Sequence, residues 1–179
     1  MTRKTTAHLF YSLDGVAVGP DQWQFDRFGP EEGELMGKAI GGITDVVIGR
    51  KLWTEWSGYW PGAQDPFGAF INPVRKHVIS STLSGDLGWN STLVDGEPAA
   101  YVRSLAEQGE GDISVVGGVE TTRRLFLAGA IDELMLTMHP VLAGGGERLF
   151  DGVPTTRLEL LGSVTTGLGN VMLTYGLRP

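Results

Sequence analysis

The most informative segment of the chain reads Ile113-Ser114-Val115-Val116-Gly117-Gly118-Val119-Glu120-Thr121-Thr122. Its apolar start is typical of a strand that is covered on both faces, as in a parallel sheet. Two glycines end this run and open a helical pattern over Val119 to Ala128, which Gly129 can cap at its C-terminal end. The segment therefore predicts a strand, a tight glycine turn and a helix.

The same alternation of strand and helix recurs earlier in the chain. Val46-Val47-Ile48 is a β-branched run that ends at Gly49, and His77 to Ile79 and His8 to Tyr11 are shorter strand candidates. Amphipathic helical patterns with a proline at the first position cover two further ranges, Pro30 to Ile40 and Pro98 to Gln108. This alternation is typical of βαβ units.

The last third of the chain contains strand patterns with no room for helices between them. These are Leu134 to Met138, Leu158 to Val164 and Val171 to Leu177, and Thr165 to Asn170 is short enough for a hairpin turn. The sequence therefore predicts an α/β fold in three layers. We expect a mixed central sheet of about eight strands, mostly parallel, with an antiparallel C-terminal hairpin at one edge and helices on its faces.

Composition narrows the class of protein. The 179 residues are 41% hydrophobic and 20% charged, which predicts a single soluble domain over residues 1–179. The absence of cysteine excludes disulfides, a thiolate nucleophile and cysteine metal sites. A formal charge of -7 argues against general nucleic-acid binding, and neither a secretory signal nor a membrane span is visible, so we expect a cytoplasmic protein.

Three predicted strands end in residues that suit a phosphorylated dinucleotide. Gly117-Gly118 would let the backbone approach a pyrophosphate at a helix N-terminus. Arg50 and Lys51, with Ser80 and Ser81, could hold a further phosphate through charge-assisted hydrogen bonds. Each segment taken singly is more often a turn or a solvated helix cap, because the spaced three-glycine fingerprint is absent. Their combination favours a nucleotide site.

Five segments in the same order resemble the dihydrofolate reductase-like superfamily, and within it the RibD C-terminal domain family of riboflavin-biosynthesis reductases. The resemblance covers nearly the whole chain. Its segments are Ser12-Leu13-Asp14-Gly15, Val47-Ile48-Gly49-Arg50, Lys76-His77-Val78-Ile79-Ser80, Val115-Val116-Gly117-Gly118, and Asp132-Glu133-Leu134-Met135-Leu136 through His139-Pro140-Val141-Leu142-Ala143-Gly144-Gly145-Gly146.

The resemblance implies a homodimeric, NADPH-dependent reductase that passes hydride to a pterin-like or pyrimidine-like heterocycle, or to a related conjugated compound. It implies that Thr137 lies beside the substrate, and we add Trp23 and Phe28 from the long first loop as substrate-binding candidates. The residues that it implies for the cofactor are Gly49, Arg50, Lys51, Ser80, Ser81, Gly117, Gly118, Val119, Glu120 and Thr121.

Two places depart from the family pattern. Pro30-Glu31-Glu32 offers acids where dihydrofolate reductases hold the pterin. Their position at the start of a helix favours the interpretation that they are helix-dipole partners. Val116 stands where riboflavin pyrimidine reductases usually carry a glutamate before the diglycine. These departures favour a diverged member that acts on another acceptor.

Asp14 is the remaining acid with a plausible catalytic place. A buried carboxylate after the first strand could have a raised pKa and relay a proton. Asp14 could equally cap the turn that it forms with Gly15. No metal is expected, because His8, His77 and His139 lack ligand spacing.

Two other function classes stay open. A non-catalytic protein could use the same nucleotide pocket to bind a small molecule. A phosphotransferase is less favoured, because the glycine loops lack the lysine and hydroxyl that end a P-loop.

Overall fold

The computed structural model describes residues 2–178, and in that range eight strands and six α-helices follow one another along the chain. The strands are β1 (Thr5–Ser12), β2 (Ile43–Gly49), β3 (Arg75–Ile79), β4 (Ser91–Leu93), β5 (Asp112–Val115), β6 (Glu133–His139), β7 (Leu158–Thr165) and β8 (Val171–Leu177). The helices are α1 (Pro20–Trp23), α2 (Pro30–Ile40), α3 (Arg50–Tyr59), α4 (Pro66–Ile71), α5 (Pro98–Ala106) and α6 (Val119–Leu127).

All eight strands join one mixed sheet in the order β4-β3-β2-β5-β1-β6-β8-β7. The first six strands in this spatial order, which starts at β4 and reaches β6, pair in parallel. β8 pairs antiparallel with both β6 and β7. The predicted mixed sheet with an antiparallel C-terminal hairpin at one edge is confirmed. The single domain expected for residues 1–179 stays a prediction, and Met1 and Pro179 lie outside the described residues.

Helices cover both faces of the sheet and produce the three expected layers. Alternate residues of β2 point to opposite sides, as the pleat requires. Val47 joins the core beneath α5 and α6, which also contains Phe126 of α6, whereas Val46 and Ile48 join a second core beneath α3 and α4. Strands buried on both faces explain the unbroken apolar runs in the sequence. Within residues 2–178, no helix is long and apolar enough to span a bilayer.

Four elements, α1, α3, α4 and β4, were not predicted. α3 begins directly at the end of β2. Trp53 and Trp56, three residues apart on this helix, both pack into the second core. α4 has an Asp65 cap, which accepts hydrogen bonds from Phe67 N and Gly68 N, but only six residues of helix follow. β4 and α1 have three and four residues, too few to show a period.

A buried ion cluster ties β2 and β3 to the residues before β1 at the N-terminal edge of the sheet. The Asp45 carboxylate is fully buried, pairs with Arg3, and accepts hydrogen bonds at 2.9 Å from Arg75 Nη2 and His77 Nε2. His77 Nδ1 lies 2.8 Å from the Tyr101 hydroxyl of α5. Burial alone would raise the pKa of Asp45, but the hydrogen bonds from His77, Arg3 and Thr44 outweigh it and lower the pKa.

The central strands separate at the opposite edge. β1 pairs with β5 only from Thr5↔Ile113 to Ala7↔Val115, whereas it stays paired with β6 as far as Ser12↔His139. From His8 onward β1 therefore has a neighbour on one side only. β5 ends at Val115, before the Gly117-Gly118 turn, so the C-terminal half of β1 has an unpaired edge on this side, which we call the opening between β1 and β5.

Candidate functional site

A cavity of about 730 Å³ lies at the C-terminal edge of the parallel strands. Its volume falls within the roughly 300–1,000 Å³ that small-molecule sites occupy. In an open α/β sheet this is the edge at which ligands bind. The cavity brings together seven of the ten residues predicted for the cofactor: Gly49, Arg50, Lys51, Gly118, Val119, Glu120 and Thr121.

Two helices present open N-termini to this cavity. α3 begins after Gly49 and α6 begins after Gly118, and neither helix has a side chain that caps its first N–H groups. α5 differs, because the carboxylate of Glu97 accepts hydrogen bonds from Ala99 N and Ala100 N. These bonds lower the pKa of Glu97. Uncapped N–H groups and the helix dipole together favour anions at both helix starts.

Glycine is needed at the ends of β2 and β5 because Thr121 fills the space beside them. A Cβ atom on Gly49 would lie 2.5 Å from Thr121 Oγ1, and one on Gly117 would lie 3.1 Å from Thr121 Cβ. Gly118 differs, since a Cβ there would have no protein atom within 4 Å. Gly49 and Gly117 therefore serve packing, whereas Gly118 faces open space in the cavity.

The charged side chains around the cavity are of both signs. Arg50 and Lys51 are exposed at the start of α3. Glu120 and Arg124 of α6 are also exposed, and Arg124 Nη1 lies 3.8 Å from Glu120 Oε1. Arg50 and Lys51 have no ion-pair partner within residues 2–178, so they are the cations available to a ligand phosphate.

The three remaining cofactor candidates lie beside the cavity without lining it. Gly117 packs against Thr121 as described. Ser80 follows β3, and its Oγ accepts hydrogen bonds from Thr82 N and Leu83 N, which makes it a turn residue. Ser81 is exposed. Their contact with a cofactor stays a prediction.

The substrate candidates lie on the β1 and β6 side of the opening. Thr137 is 5% exposed, and its Oγ1 lies 2.7 Å from Nε2 of His8. Phe28 is 42% exposed and meets Phe10 edge to face with the ring centroids 5.8 Å apart. Trp23 is buried, donates from Nε1 to Val18 O, and packs behind this wall against His139.

Asp14 anchors a loop. Its carboxylate accepts hydrogen bonds from Ser12 Oγ at 2.6 Å, Ala143 N at 3.0 Å and Gly144 N at 2.9 Å. These bonds, that of Ser12 foremost, lower the pKa of Asp14 to about 2. A carboxylate held in this way stays ionised near neutral pH and favours the turn-capping role over proton relay.

Glu32 is also fully engaged. It is buried, and its two oxygens accept hydrogen bonds from Gly29 N at 2.9 Å and Asn170 Nδ2 at 2.7 Å. Burial would raise the pKa of Glu32, but hydrogen bonds from Thr166, Gly29 and Asn170 lower it. Glu32 thus closes the start of α2 and ties it to the β7–β8 turn, in line with the structural role expected for this acid.

His8 is the residue that the sequence did not single out. It lies where β1 parts from β5, beside Phe10, with ring centroids 5.3 Å apart. Burial, and to a smaller extent His139, lower the pKa of His8 to about 4. The available signal was a set of polar residues within central apolar strands, namely Thr6, His8, Ser114 and Thr137. No group of three His, Asp or Glu side chains in residues 2–178 is arranged to hold a metal ion.

Comparisons with known proteins identify the family and the fold. The sequence matches the RibD C-terminal domain family over residues 3–172. The uncharacterized protein YyaP of Bacillus subtilis (strain 168) is 26% identical over 139 residues, which cover 74% of this chain and 73% of that protein.

Two solved structures share the fold. A protein of Shewanella sp. PV-4 has a TM-score of 0.73 at 20% identity, and the match covers 100% of both chains. A pyrimidine reductase-like protein of Corynebacterium diphtheriae has a TM-score of 0.69 at 16% identity, with 99% of this chain and 92% of that one covered. From the match over residues 3–172 and the shared sheet topology, we conclude that this chain belongs to the RibD C-terminal domain family.

Proposed function

We propose that the protein is an NADPH-dependent reductase that transfers hydride to a small pterin-like, pyrimidine-like or otherwise conjugated acceptor. The observation that carries the proposal is the cavity of about 730 Å³ into which two uncapped helix N-termini open. Membership of a reductase-like family supports the same conclusion.

The residues of the cavity suit the phosphates of this cofactor. The first turn of α6, after Gly118, would receive the pyrophosphate through backbone N–H groups. Arg50 and Lys51, at the open start of α3, would receive the 2′-phosphate that distinguishes NADPH from NADH. When bound, NADPH supplies the hydride. The chain itself holds donor and acceptor in line and excludes water, which is the main contribution of a protein to such a transfer.

The opening between β1 and β5 provides the route from this cavity to the acceptor. It lies next to the Gly117-Gly118 turn on one side and to His8 and Phe10 on the other. Thr137 and Phe28 belong to the same wall. An extended cofactor that begins at α3 would thus end at a wall of aromatic and polar side chains.

The experiment that tests the proposal compares two nucleotides on one variant. Arg50→Ala should weaken NADPH by about 1.5–3 kcal/mol, the usual contribution of a hydrogen bond to a charged group, and leave NADH nearly unchanged. Isothermal titration would measure both dissociation constants. Arg157→Ala, at the start of β7 far from the cavity, is the control and should change neither. Equal losses for both nucleotides would place Arg50 outside a 2′-phosphate site.

A non-catalytic nucleotide-binding protein is the second candidate. It is favoured by the engagement of Asp14 and Glu32, which leaves neither acid free to donate a proton. Absorbance at the nicotinamide band, followed with folate, flavin-precursor and quinone-like acceptors, separates the two. NADPH that binds but is oxidised by none of them would establish the second candidate.

We also propose that the protein acts as a cytoplasmic homodimer without nucleic-acid or membrane partners. The dimer is supported by the edge strand β7, on which Leu160, Leu161 and Val164 are 54%, 49% and 40% exposed. Apolar side chains on an unpaired strand edge favour contact with a second copy.

A further inference from the structure

The side chain of His8 lies at the point where β1 leaves β5. Ala7 is the last residue of β1 that pairs with β5, and His8 is the first that has β6 alone as a neighbour. Along β1, His8 and Phe10 face one side, and Ala7 and Leu9 pack into the core under α5 and α6 on the other. His8 therefore borders the opening on the side away from α6.

One nitrogen of the His8 ring is held and the other is free. Nε2 lies 2.7 Å from the hydroxyl oxygen of Thr137, and the pair is fixed by the register between β1 and β6. Nδ1 makes no hydrogen bond within residues 2–178, and it is not among the enclosed unpaired atoms, unlike Nδ1 of His139. His8 itself is only partly exposed. Nδ1 is thus a fixed, unpaired polar atom in a half-buried wall and is not completely enclosed.

The flanking side chains of this wall are aromatic. Phe10 lies next to His8, and Phe28, almost half exposed, stands edge-on to Phe10. Aromatic rings at such angles present faces on which a flat conjugated molecule can stack. A planar occupant would then place its polar rim toward His8.

The acids near this wall already accept hydrogen bonds from neutral donors. The Glu32 carboxylate accepts hydrogen bonds from Gly29 N and Asn170 Nδ2, and Glu31 Oε2 accepts one from Gly167 N at 2.8 Å. Asp14 holds the N–H groups of Ala143 and Gly144. A cationic heterocycle would have to compete with these bonds for a carboxylate, whereas an uncharged one would not.

We propose that His8 is an acceptor-binding residue whose Nδ1–H donates a hydrogen bond to a carbonyl oxygen, and that the acceptor is an uncharged, planar, conjugated carbonyl compound such as a quinone or enone. The role of this compound as hydride acceptor rests on the proposed function, but its binding at His8 does not. In this arrangement the Thr137 hydroxyl donates to Nε2 and fixes the tautomer.

The reduction of such an acceptor requires a hydride, a hydrogen-bond donor and a proton. Two electrons and one hydrogen arrive as hydride, which oxidises NADPH to NADP⁺. A conjugated carbon of the acceptor forms the new C–H bond, its double bond shifts, and negative charge develops on the carbonyl oxygen. The Nδ1–H of neutral His8 stabilises that oxygen, and a proton from water completes the reduction.

The test is titration of the histidine ring resonances by NMR with two planar probes. The chain has three histidines, and it has no cysteine with which a quinone could form a thiol adduct. The probes are 2-methyl-1,4-naphthoquinone, which is neutral, and benzamidine, a cation. We expect free His8 to be the Nδ1–H tautomer and the quinone to shift its resonances, while benzamidine leaves them unchanged. An Nε2–H tautomer, a quinone that leaves His8 unperturbed, or a shift by benzamidine would overturn the proposal.

Variants give a second measurement. His8→Phe should weaken the quinone about three- to tenfold, which corresponds to one neutral hydrogen bond, and leave NADPH affinity unchanged. Thr137→Val should weaken the quinone by a similar factor, because the ring is no longer held. Thr174→Val on β8 is the matched control and should have no effect. Equal quinone affinity in all four proteins would contradict a role for His8. The quinone titration contains no NADPH, so failure of NADPH to bind wild-type protein would count against the reductase proposal alone.

Discussion

At Gly118 a side chain and a bound phosphate would compete for the same space. Because a Cβ there meets no protein atom within 4 Å and φ is -56°, Gly118→Ala should fold normally and lose less than about 1 kcal/mol of stability. The methyl group would enter the cavity where the pyrophosphate is proposed to bind. We expect NADPH affinity to fall by at least about tenfold, measured by titration.

The control for this substitution is Gly58→Ala in α3. A Cβ at Gly58 also meets nothing within 4 Å, but Gly58 does not line the cavity. It should raise the melting temperature slightly, since alanine is favoured over glycine in a helix by about 1 kcal/mol, and leave NADPH affinity unchanged. Retained NADPH affinity in Gly118→Ala would move the pyrophosphate away from α6.

Asp14 yields a prediction about acid. Its pKa in the folded protein is about 2, below its ordinary value of 3.8, so its stabilising bonds are complete above pH 3.8 and are lost as the pH falls toward 2. Asp14→Asn should speed hydrogen exchange at Ala143 N and Gly144 N at neutral pH, because an amide oxygen accepts more weakly than a carboxylate. A pH–rate profile of the reductase reaction should keep its shape in this variant. Loss of a titration near neutral pH would instead make Asp14 a proton donor.

Single residues differed in how visible they were in the sequence. Gly118 and Arg50 could be proposed from the glycines and cations that follow predicted strands, and both line the cavity, while their contact with a cofactor stays a prediction. His8 could not, because its position depends on where β1 stops pairing with β5. That register is set by long-range strand pairing, which no local pattern records.

Among the elements, β2 depends most on buried charge. Asp45→Asn should destabilise the protein by about 3–5 kcal/mol, because Arg3 and His77 would lose their buried anionic partner. Denaturant unfolding measures the change. Asp95→Asn, an exposed carboxylate with no hydrogen bond to residues 2–178, should stay within about 0.5 kcal/mol of wild type. Equal, small losses in both would show that the ion cluster adds little.

The pKa of Asp45 gives the sign of the associated pH effect. It lies below the usual 3.8, so the contribution of the cluster is present above that value and declines as the pH falls below it. The acid-unfolding transition should therefore depend less steeply on pH in Asp45→Asn than in wild type. Circular dichroism along an acid titration would measure this difference.

Apart from α3, long elements were predictable and short ones were not. α2, α5 and α6 have nine to eleven residues, and their predicted bounds agree with the structure to within two residues. α4 and β4 have six and three residues, and tertiary packing of Phe67 and Leu93 against the second core stabilises them rather than local preference. α3 was missed although it lines the cavity, because its first residues were interpreted only as ligand-binding groups.

For the whole molecule, the exposed edge of the sheet leads to a prediction about assembly. If a second copy covers β7, Leu160→Lys combined with Leu161→Lys should convert a dimer to a monomer, since desolvating two charges in the interface is unfavourable. Sedimentation velocity would detect the change. Leu142→Lys is the control, because Leu142 is 71% exposed on a loop and should leave the assembly intact. A monomeric wild-type protein would contradict the proposal.

Composition and pattern gave the overall architecture more readily than the site. The order of strands along the chain, with helices between the early ones and none between the last three, was sufficient for a mixed sheet. The cavity needed the meeting of α3 and α6, which are about seventy residues apart in sequence.

The contact of Thr121 with two strand ends has a consequence for the evolution of this family. A relative that carries alanine at the position of Gly49 needs alanine or glycine at the position of Thr121, because the hydroxyl oxygen there is the obstructing atom. Alanine at position 121 would not make room for a side chain at position 117, because the atom nearest a Cβ on Gly117 is the Cβ of residue 121, which alanine also has. The pair 49 and 121 should therefore covary among homologous sequences, while position 117 should remain glycine wherever residue 121 carries a Cβ atom.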